Sequence, residues 1–326
     1  MSSHVSDPAA PMPLAGIHHV TSIAGDPQRN LDFCVGVLGL RLVKRTVNFD
    51  LPDTYHLYFG DAVGTPGTIL TIFPWPRVSR RPPGTGQIAV TAFTVPARSL
   101  GYWRDRLVRH GVAVTGPFRR FDDRVIQFAD PDGLRYELVA VERPPEVTAW
   151  QDGPVPPEHA VRGFHGVTIW EAALERTAAV LGDLLGFRAL GEEEGRVRFQ
   201  VGDGPARALV DVVVLASAPR GAEGVGTVHH IAWRTRDDAS QLAWQARVAD
   251  RGLDVTPVRD REYFRSIYFR EPGGVLFEIA TDPPGFGVDE PPEALGTGLR
   301  LPPWLEPRRA ALEQSLPPLR LPAAAT

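Results

Sequence analysis

Gly16-Ile17-His18-His19-Val20 and Val228-His229-His230-Ile231-Ala232 are the two stretches on which the reading of this chain turns. Each is a short apolar run interrupted by two adjacent histidines, and each reads as a strand. Neighbouring side chains on a strand point to opposite faces. One histidine of each pair is therefore expected to face the inside of a sheet, with the other supporting it from elsewhere. Four of the nine histidines lie in these two places. A device repeated near both ends of the chain implies a fold that brings its copies together around a metal.

Outward from the first pair, the strand leads to Asp26-Pro27, a helix cap with proline in the first turn. Leu31, Cys34, Val35 and Leu38 recur at helical spacing until Gly39. Strand patterns at 42–48, 55–59 and 68–73 complete a βαβββ order. The order returns from Ile88, where Ser99 is expected to cap a helix carrying Leu100, Trp103 and Leu107. It returns again from Gly163-Phe164-His165-Gly166-Val167, with Leu174, Ala178, Leu181 and Leu185 on the helix. A fourth copy opens at Val228, with a helix near 238–251 and strands at 266–269 and 275–280. The expected units are 16–75, 87–142, 163–216 and 227–282, followed by a proline-rich tail, 283–326, packed on the body. Proline-rich connectors at 76–86 and 144–157 separate the first unit from the second and the second from the third.

Composition narrows the partners. A chain of 326 residues with 43% apolar and 23% charged residues has the balance of a globular protein. A net charge of -4 gives no reason to expect nucleic acid or an anionic membrane. No apolar run is long enough to span a bilayer, and residues 1–13 lack the blocks of a signal peptide. The single cysteine, Cys34, cannot form an internal disulfide, and its place in a helical run reads as core packing. A cytoplasmic location is expected. A homo-oligomer is compatible with the sequence but not specified by it.

Four βαβββ units resemble the vicinal oxygen chelate superfamily, which includes glyoxalase I, extradiol dioxygenases and bleomycin-resistance proteins. The resemblance covers about 17–281 and implies an α+β fold in which pairs of units form two open barrels around a metal or ligand. Superposing the unit starts aligns His18-His19 with His229-His230. It places Gly166 in the slot of His19 and His230, with His165 one residue out of register and so on the wrong face. The last strand is the other usual source of a ligand, and Glu278 stands there between Phe277 and Ile279. A buried carboxylate needs a cation or a proton. His19, His230 and Glu278 thus form a 2-His-1-carboxylate set, which suits non-haem Fe(II) and does not exclude Mn(II). The set requires units one and four to share one barrel and units two and three the other. Glu137 matches Glu278 in position but lacks a histidine partner, and reads as a relic or a structural ion pair.

A narrower resemblance rests on Leu42-Val43-Lys44-Arg45-Thr46-Val47-Asn48-Phe49-Asp50, Tyr55-His56-Leu57-Tyr58-Phe59-Gly60-Asp61, Gly64-Thr65-Pro66-Gly67-Thr68, Arg261-Glu262-Tyr263-Phe264 and Leu301-Pro302-Pro303. Together these are similar to the ring-cleaving dioxygenases that act on hydroquinones, including chlorinated ones. The resemblance implies an iron held by His19, His230 and Glu278, with His18, Thr21, His229, Arg261 and Tyr268 as polar groups around it. His229 would accept a phenol proton or stabilise the phenolate, and Arg261 and Tyr268 would donate to charge developing on oxygen. His18 and Thr21 would orient the substrate or the ligands. Arg261 also fits a solvated charged loop, and Tyr268 a core residue. Phe277 and Trp233 are candidates for a dry wall. The implied partners are an aromatic diol and O2.

Two other readings share the fold. A glyoxalase-type isomerase or lyase would use Zn or Ni and more carboxylates, and Ile72 stands where the first unit would supply one. A non-enzymatic binding module would leave the histidine pairs and Glu278 unexplained.

Overall fold

The computed structural model describes residues 13–321. The leader reading of residues 1–12 and the last five residues of the tail lie outside them. The strands are β1 (Ile17–Ala24), β2 (Arg41–Asn48), β3 (Leu51–Gly60), β4 (Ile69–Pro74), β5 (Gln87–Pro96), β6 (Thr115–Arg120), β7 (Asp123–Ala129), β8 (Arg135–Val141), β9 (Phe164–Glu171), β10 (Arg188–Glu193), β11 (Arg196–Val201), β12 (Ala208–Val214), β13 (Thr227–Thr235), β14 (Arg259–Asp260), β15 (Arg265–Arg270) and β16 (Leu276–Thr281). The helices are α1 (Pro27–Leu31), α2 (Leu100–Arg109), α3 (Glu175–Ala179), α4 (Asp238–Asp250) and α5 (Arg309–Ser315). The order βαβββ occurs four times.

Two curled eight-stranded sheets result. The first runs β14-β15-β16-β13-β1-β4-β3-β2, and the second β10-β11-β12-β9-β5-β8-β7-β6. The first and last quarters of the chain therefore share one half-barrel, and the middle quarters share the other, as the histidine positions require. Antiparallel pairing of β1 with β13 joins the first sheet at its centre, and β5 with β9 joins the second.

The helices follow their caps and periodicity with local changes. Asp26 caps α1 by accepting from the Arg29 N–H, and Asp237 caps α4 by accepting from the Ser240 N–H. After α1 the helix widens to π geometry over Asp32–Val37, and after α3 over Val180–Leu184. Gly39 then turns the chain in the left-handed region at φ 68°, where a β-carbon would also press on Val155. Ser99 is not a cap. Its hydroxyl meets the Glu158 carbonyl and His159 Nδ1, because a 3₁₀ turn, Ala97–Ser99, carries the chain into α2.

Matching ties join helices of successive quarters. Arg106 on α2 donates to the carbonyls of Val37 and Gly36, at 2.8 and 2.5 Å. Arg247 and Arg251, at and beyond the end of α4, both donate to the Asp183 carbonyl at 3.1 Å. Orphan carbonyls at each helix end are thereby satisfied. Cys34 is buried in the core, as its apolar neighbours suggested. Beyond β16 the chain runs over the first sheet. The buried Lys44 holds it through Asp289 and Glu290, and the Tyr55 hydroxyl donates to the Pro317 carbonyl at 2.9 Å.

Candidate metal centre

Register explains how two consecutive histidines come to act together. Opposite β13, β1 pairs Ile17 with Trp233 and then His19 with Ala232, so His18 is an extra residue. Three positions on, Thr21 pairs with His230 and Ser22 with Val228, so His229 is the extra residue on β13. These are β-bulges, which break alternation and re-aim a side chain. The expectation that the two histidines of a pair face opposite sides is therefore corrected. The Nδ1 atoms of His18 and His19 lie 2.9 Å apart, and those of His229 and His230 lie 2.7 Å apart.

The centre of the sheet gathers His19, His230 and Glu278, all buried. Glu278 on β16 lies beside Ala232, two residues past His230. His19 Nε2 is 3.2 Å and His230 Nε2 3.0 Å from Glu278 Oε2, and the two nitrogens are 3.3 Å apart. Ligand atoms about 2.1 Å from one ion stand about 3.0 Å apart at right angles and about 3.4 Å apart in a tetrahedron. The three separations match the closely spaced face of such a shell. Ser266 donates to Glu278 Oε1, while Oε2 is buried with no hydrogen-bond partner among the described residues. A divalent cation would satisfy it. A proton on Nδ1 of each ligand histidine, given to its neighbour, leaves both Nε2 lone pairs free for the ion.

Electrostatics agree. Burial disfavours the charged form of Glu278, yet His19 and His230 outweigh it and hold the carboxyl well below the usual range. His230 is lowered by burial, against the pull of Glu278. Burial and then His230 push His229 down to about 3. Burial and His19 lower His18, and burial with His19 and His230 lowers His56. These four imidazoles are neutral near pH 7, the form that ligates metals and accepts hydrogen bonds. Tyr268 is raised, by burial and then by Glu278, and so keeps its proton.

A cavity of about 410 Å³ opens over the trio, lined by His19, His230, His229, Tyr268, Arg261 and His56 among others. Arg261 is not simply solvated. It donates to the Tyr268 hydroxyl at 3.1 Å and pairs with Asp50 at 2.9 Å. His18 and Thr21 do not line the cavity. His18 packs on Phe264 at 4.9 Å between ring centres. Thr21 meets Thr71 at 2.7 Å, and the chain continues through His56 at 2.9 Å to Tyr58 at 2.8 Å. Phe277 and Trp233 are not the apolar wall, because they pack on each other in the core at 5.4 Å. Phe73, Trp75, Phe264 and Leu276 form it instead.

Sequence reading passed over His56, Ser266 and Thr71. His56 stood in a strand-like run of apolar and aromatic residues, and an ionisable group there is itself a signal. Thr71 also corrects the slot given to Ile72. Thr71 pairs with Thr21 as Glu278 pairs with Ala232, so the position equivalent to Glu278 on β4 carries a threonine.

Comparison with known proteins agrees with this architecture. The model of the glyoxalase/bleomycin resistance protein/dioxygenase superfamily matches residues 16–138 and 163–279. "Putative ring-cleaving dioxygenase MhqO" of Bacillus subtilis (strain 168) is 48% identical over 309 residues, covering 94% of this chain and 97% of that protein. The chlorohydroquinone/hydroquinone 1,2-dioxygenase of Sphingobium indicum is 36% identical over 309 residues, covering 91% of this chain and 94% of that protein. A crystal structure of a "putative dioxygenase" from Bacillus subtilis superposes with a TM-score of 0.91 at 47% identity, covering 95% of this chain and 99% of that one. With sheets, pairing and relatives in accord, the chain belongs to the glyoxalase/bleomycin resistance protein/dioxygenase superfamily.

Proposed function

We propose that this protein opens para-dihydroxylated aromatic rings with O2, using Fe(II), or Mn(II) in its place, held by His19, His230 and Glu278. The observation that carries the proposal is the buried two-histidine, one-carboxylate face with a cavity on its open side. Similarity to a chlorohydroquinone/hydroquinone 1,2-dioxygenase supports the substrate class. The substrates are hydroquinone and its chlorinated or alkylated relatives. When bound, a redox-active ion supplies positions for the diol and for O2 and a path for electron density from ring to oxygen.

The chain's own residues do the rest. A cavity of about 410 Å³ has room for one substituted ring beside a diatomic gas. His229, held neutral and accepting from His230 on Nδ1, presents its Nε2–H to the substrate oxygen and stabilises it as a phenolate. Beyond it lies a polar cavity of about 380 Å³ bordered by Arg220, Glu223 and Arg270. Tyr268, with its proton retained and Arg261 behind it, donates to oxygen as charge develops. His18 and Thr21 act as positioning residues, His18 on His19 and Thr21 on the Thr71–His56–Tyr58 chain. Phe73, Trp75 and Phe264 exclude water. The ring opens between a hydroxylated carbon and its neighbour, and both oxygen atoms enter the product. Unsubstituted hydroquinone gives 4-hydroxymuconic semialdehyde.

The test is O2 uptake by anaerobically Fe(II)-loaded protein given hydroquinone, methylhydroquinone, chlorohydroquinone and catechol. Stoichiometric uptake with a new ring-fission absorbance for the para-diols is expected. No uptake with any of them, in protein shown to hold iron, overturns the proposal.

A further inference from the structure

We propose that a groove beside the active-site cavity is a subsite for an apolar alkyl substituent on the substrate ring, an inference that rests on the function proposed above. The groove measures about 770 Å³ and shares Leu51 and Trp75 with the cavity over the metal centre. Among the described residues Asp53 and Arg77 are its only charged lining residues, and prolines before and after Trp75 and Pro317 of the tail make up much of the wall. Leu51 and Val78 leave 47% and 41% of their surface in water. Large apolar side chains gathered in a concave site mark a place that an apolar group covers.

Trp75 is the partition between the two spaces. Its indole stacks on Phe73 at 5.7 Å with planes 4° apart, and its ring nitrogen has no hydrogen-bond partner among the described residues. A ring whose hydroxyl lies at His19 and His230 carries its other substituents toward the walls of the cavity. The opposite exit passes His229 into the cavity bordered by Arg220, Glu223 and Arg270, which disfavours a hydrocarbon. The way past Leu51 and Trp75 is the apolar one. Each methylene fully buried there tightens binding by about fourfold.

The experiment compares hydroquinone with its methyl, butyl, hexyl and octyl derivatives in steady-state O2 uptake. In parallel, 4-alkylphenols of the same chain lengths are titrated calorimetrically into metal-free protein, which gives a readout independent of turnover. The expected result is a twofold to fourfold gain per methylene in both series until the groove is full. Val78→Asp, which touches the groove but not the cavity, is expected to keep hydroquinone turnover and to abolish the gain. Val78→Ser is a milder variant that reduces it. Affinity independent of chain length, or a Val78→Asp protein that loses hydroquinone turnover as much as octylhydroquinone turnover, overturns the subsite. Chain-dependent binding without O2 uptake would leave the groove standing and remove the dioxygenase reading. O2 uptake without chain dependence would do the reverse.

Discussion

His229 and His230 are consecutive on one strand, yet their Nδ1 atoms lie 2.7 Å apart. The bulge at His229 makes this possible, and the bulge at His18 does the same for His19. His19 and His230 are thus each oriented by their own chain neighbour. Histidine ligands are usually oriented by a carboxylate or a carbonyl on their second nitrogen. Here the second nitrogen meets a neutral ring, which adds no charge to the site.

Replacing either neighbour should therefore weaken the metal without removing a ligand. For His18→Phe and His229→Phe we expect a loss of about 10- to 100-fold in metal affinity. Competition of Co(II) or Fe(II) against a chelator measures it. Unchanged affinity in both variants would show that the paired imidazoles do not orient the ligands.

Glu278 is the only carboxylate of the trio, and among the described residues its Oε2 faces only the His19 and His230 nitrogens. Glu278→Gln should fold but fail to hold a divalent ion, because the amide offers no charge to offset desolvation. Wild-type protein given metal at 100 times its Kd gains about 2.7 kcal/mol, which reads as a rise of several degrees in Tm. No rise is expected for the variant. A full metal-dependent shift in Glu278→Gln would move the site elsewhere.

Tyr268 reaches the cavity with its hydroxyl held by Arg261 and with no bond to the metal trio. Tyr268→Phe should retain iron, measured by elemental analysis, and lower kcat by about 100-fold as one donor is removed. Iron loss equal to that of a ligand variant would instead make Tyr268 part of the metal shell.

The repeated βαβββ order, the pairing of the sheets and the meeting of His19, His230 and Glu278 were legible because each leaves a periodic or positional mark. The bulges were not. A bulge is a relation between two strands that are 211 residues apart at His19 and His230, and neither strand alone records it. Strict alternation therefore put His18 and His229 on the wrong face. His56 escaped for a related reason. It reaches the cavity because the sheet curls β3 over β1, and curvature has no local signature. Ile72 in place of Thr71 was a one-residue error, which in a strand is an error of face.

An acid pair joins the two sheets. Glu171 at the end of β9 is buried against Glu271, which follows β15 and accepts from the Thr177 hydroxyl and from the Gly273 and Val275 N–H groups. Burial first, and then Glu271, push Glu171 up to about 8. The folded state therefore holds a proton that the unfolded state has released between pH 4.5 and 8. Stability should fall as pH rises through that window and level off above it. Glu171→Gln, which keeps a donor but cannot titrate, should flatten this limb and gain about 1–3 kcal/mol at pH 9. Urea unfolding at pH 5, 7 and 9 tests it, and an unchanged pH profile would exclude Glu171 as the source.

The second half-barrel shows what the same positions become without the two histidines. Gly166 pairs with Ala92 as His230 pairs with Thr21, and Val90 pairs with Thr168 as His19 pairs with Ala232. A β-carbon on Gly166 would stand 2.3 Å from the Leu209 carbonyl oxygen, so the slot of His230 cannot carry a side chain here. In this overlay Asp211 takes the slot of Glu278 and Glu137 that of Thr71, and Glu137 pairs with Arg120 at 2.5 Å. Arg198 grips Asp211 at 2.7 and 2.9 Å and reaches Asp123 at 2.5 Å, and His165 also meets Asp123, at 3.2 Å. His165, the bulged residue of β9, thus joins the ion pairs within this barrel instead of turning to the other face. The space left measures about 10 Å³, against about 410 Å³ over the candidate metal centre. Arginines have taken the place of a cation, and the carboxylates are neutralised without one. Val90→His should therefore bind no second ion, and metal per chain by mass spectrometry should stay at one. Arg198→Met should destabilise the fold by about 3 kcal/mol, because it leaves the buried Asp211 with Arg196 alone and the half-buried Asp123 with His165 alone. A second bound ion in Val90→His, with the Arg198 pairs intact, would show that the ion pairs do not close this barrel to metal.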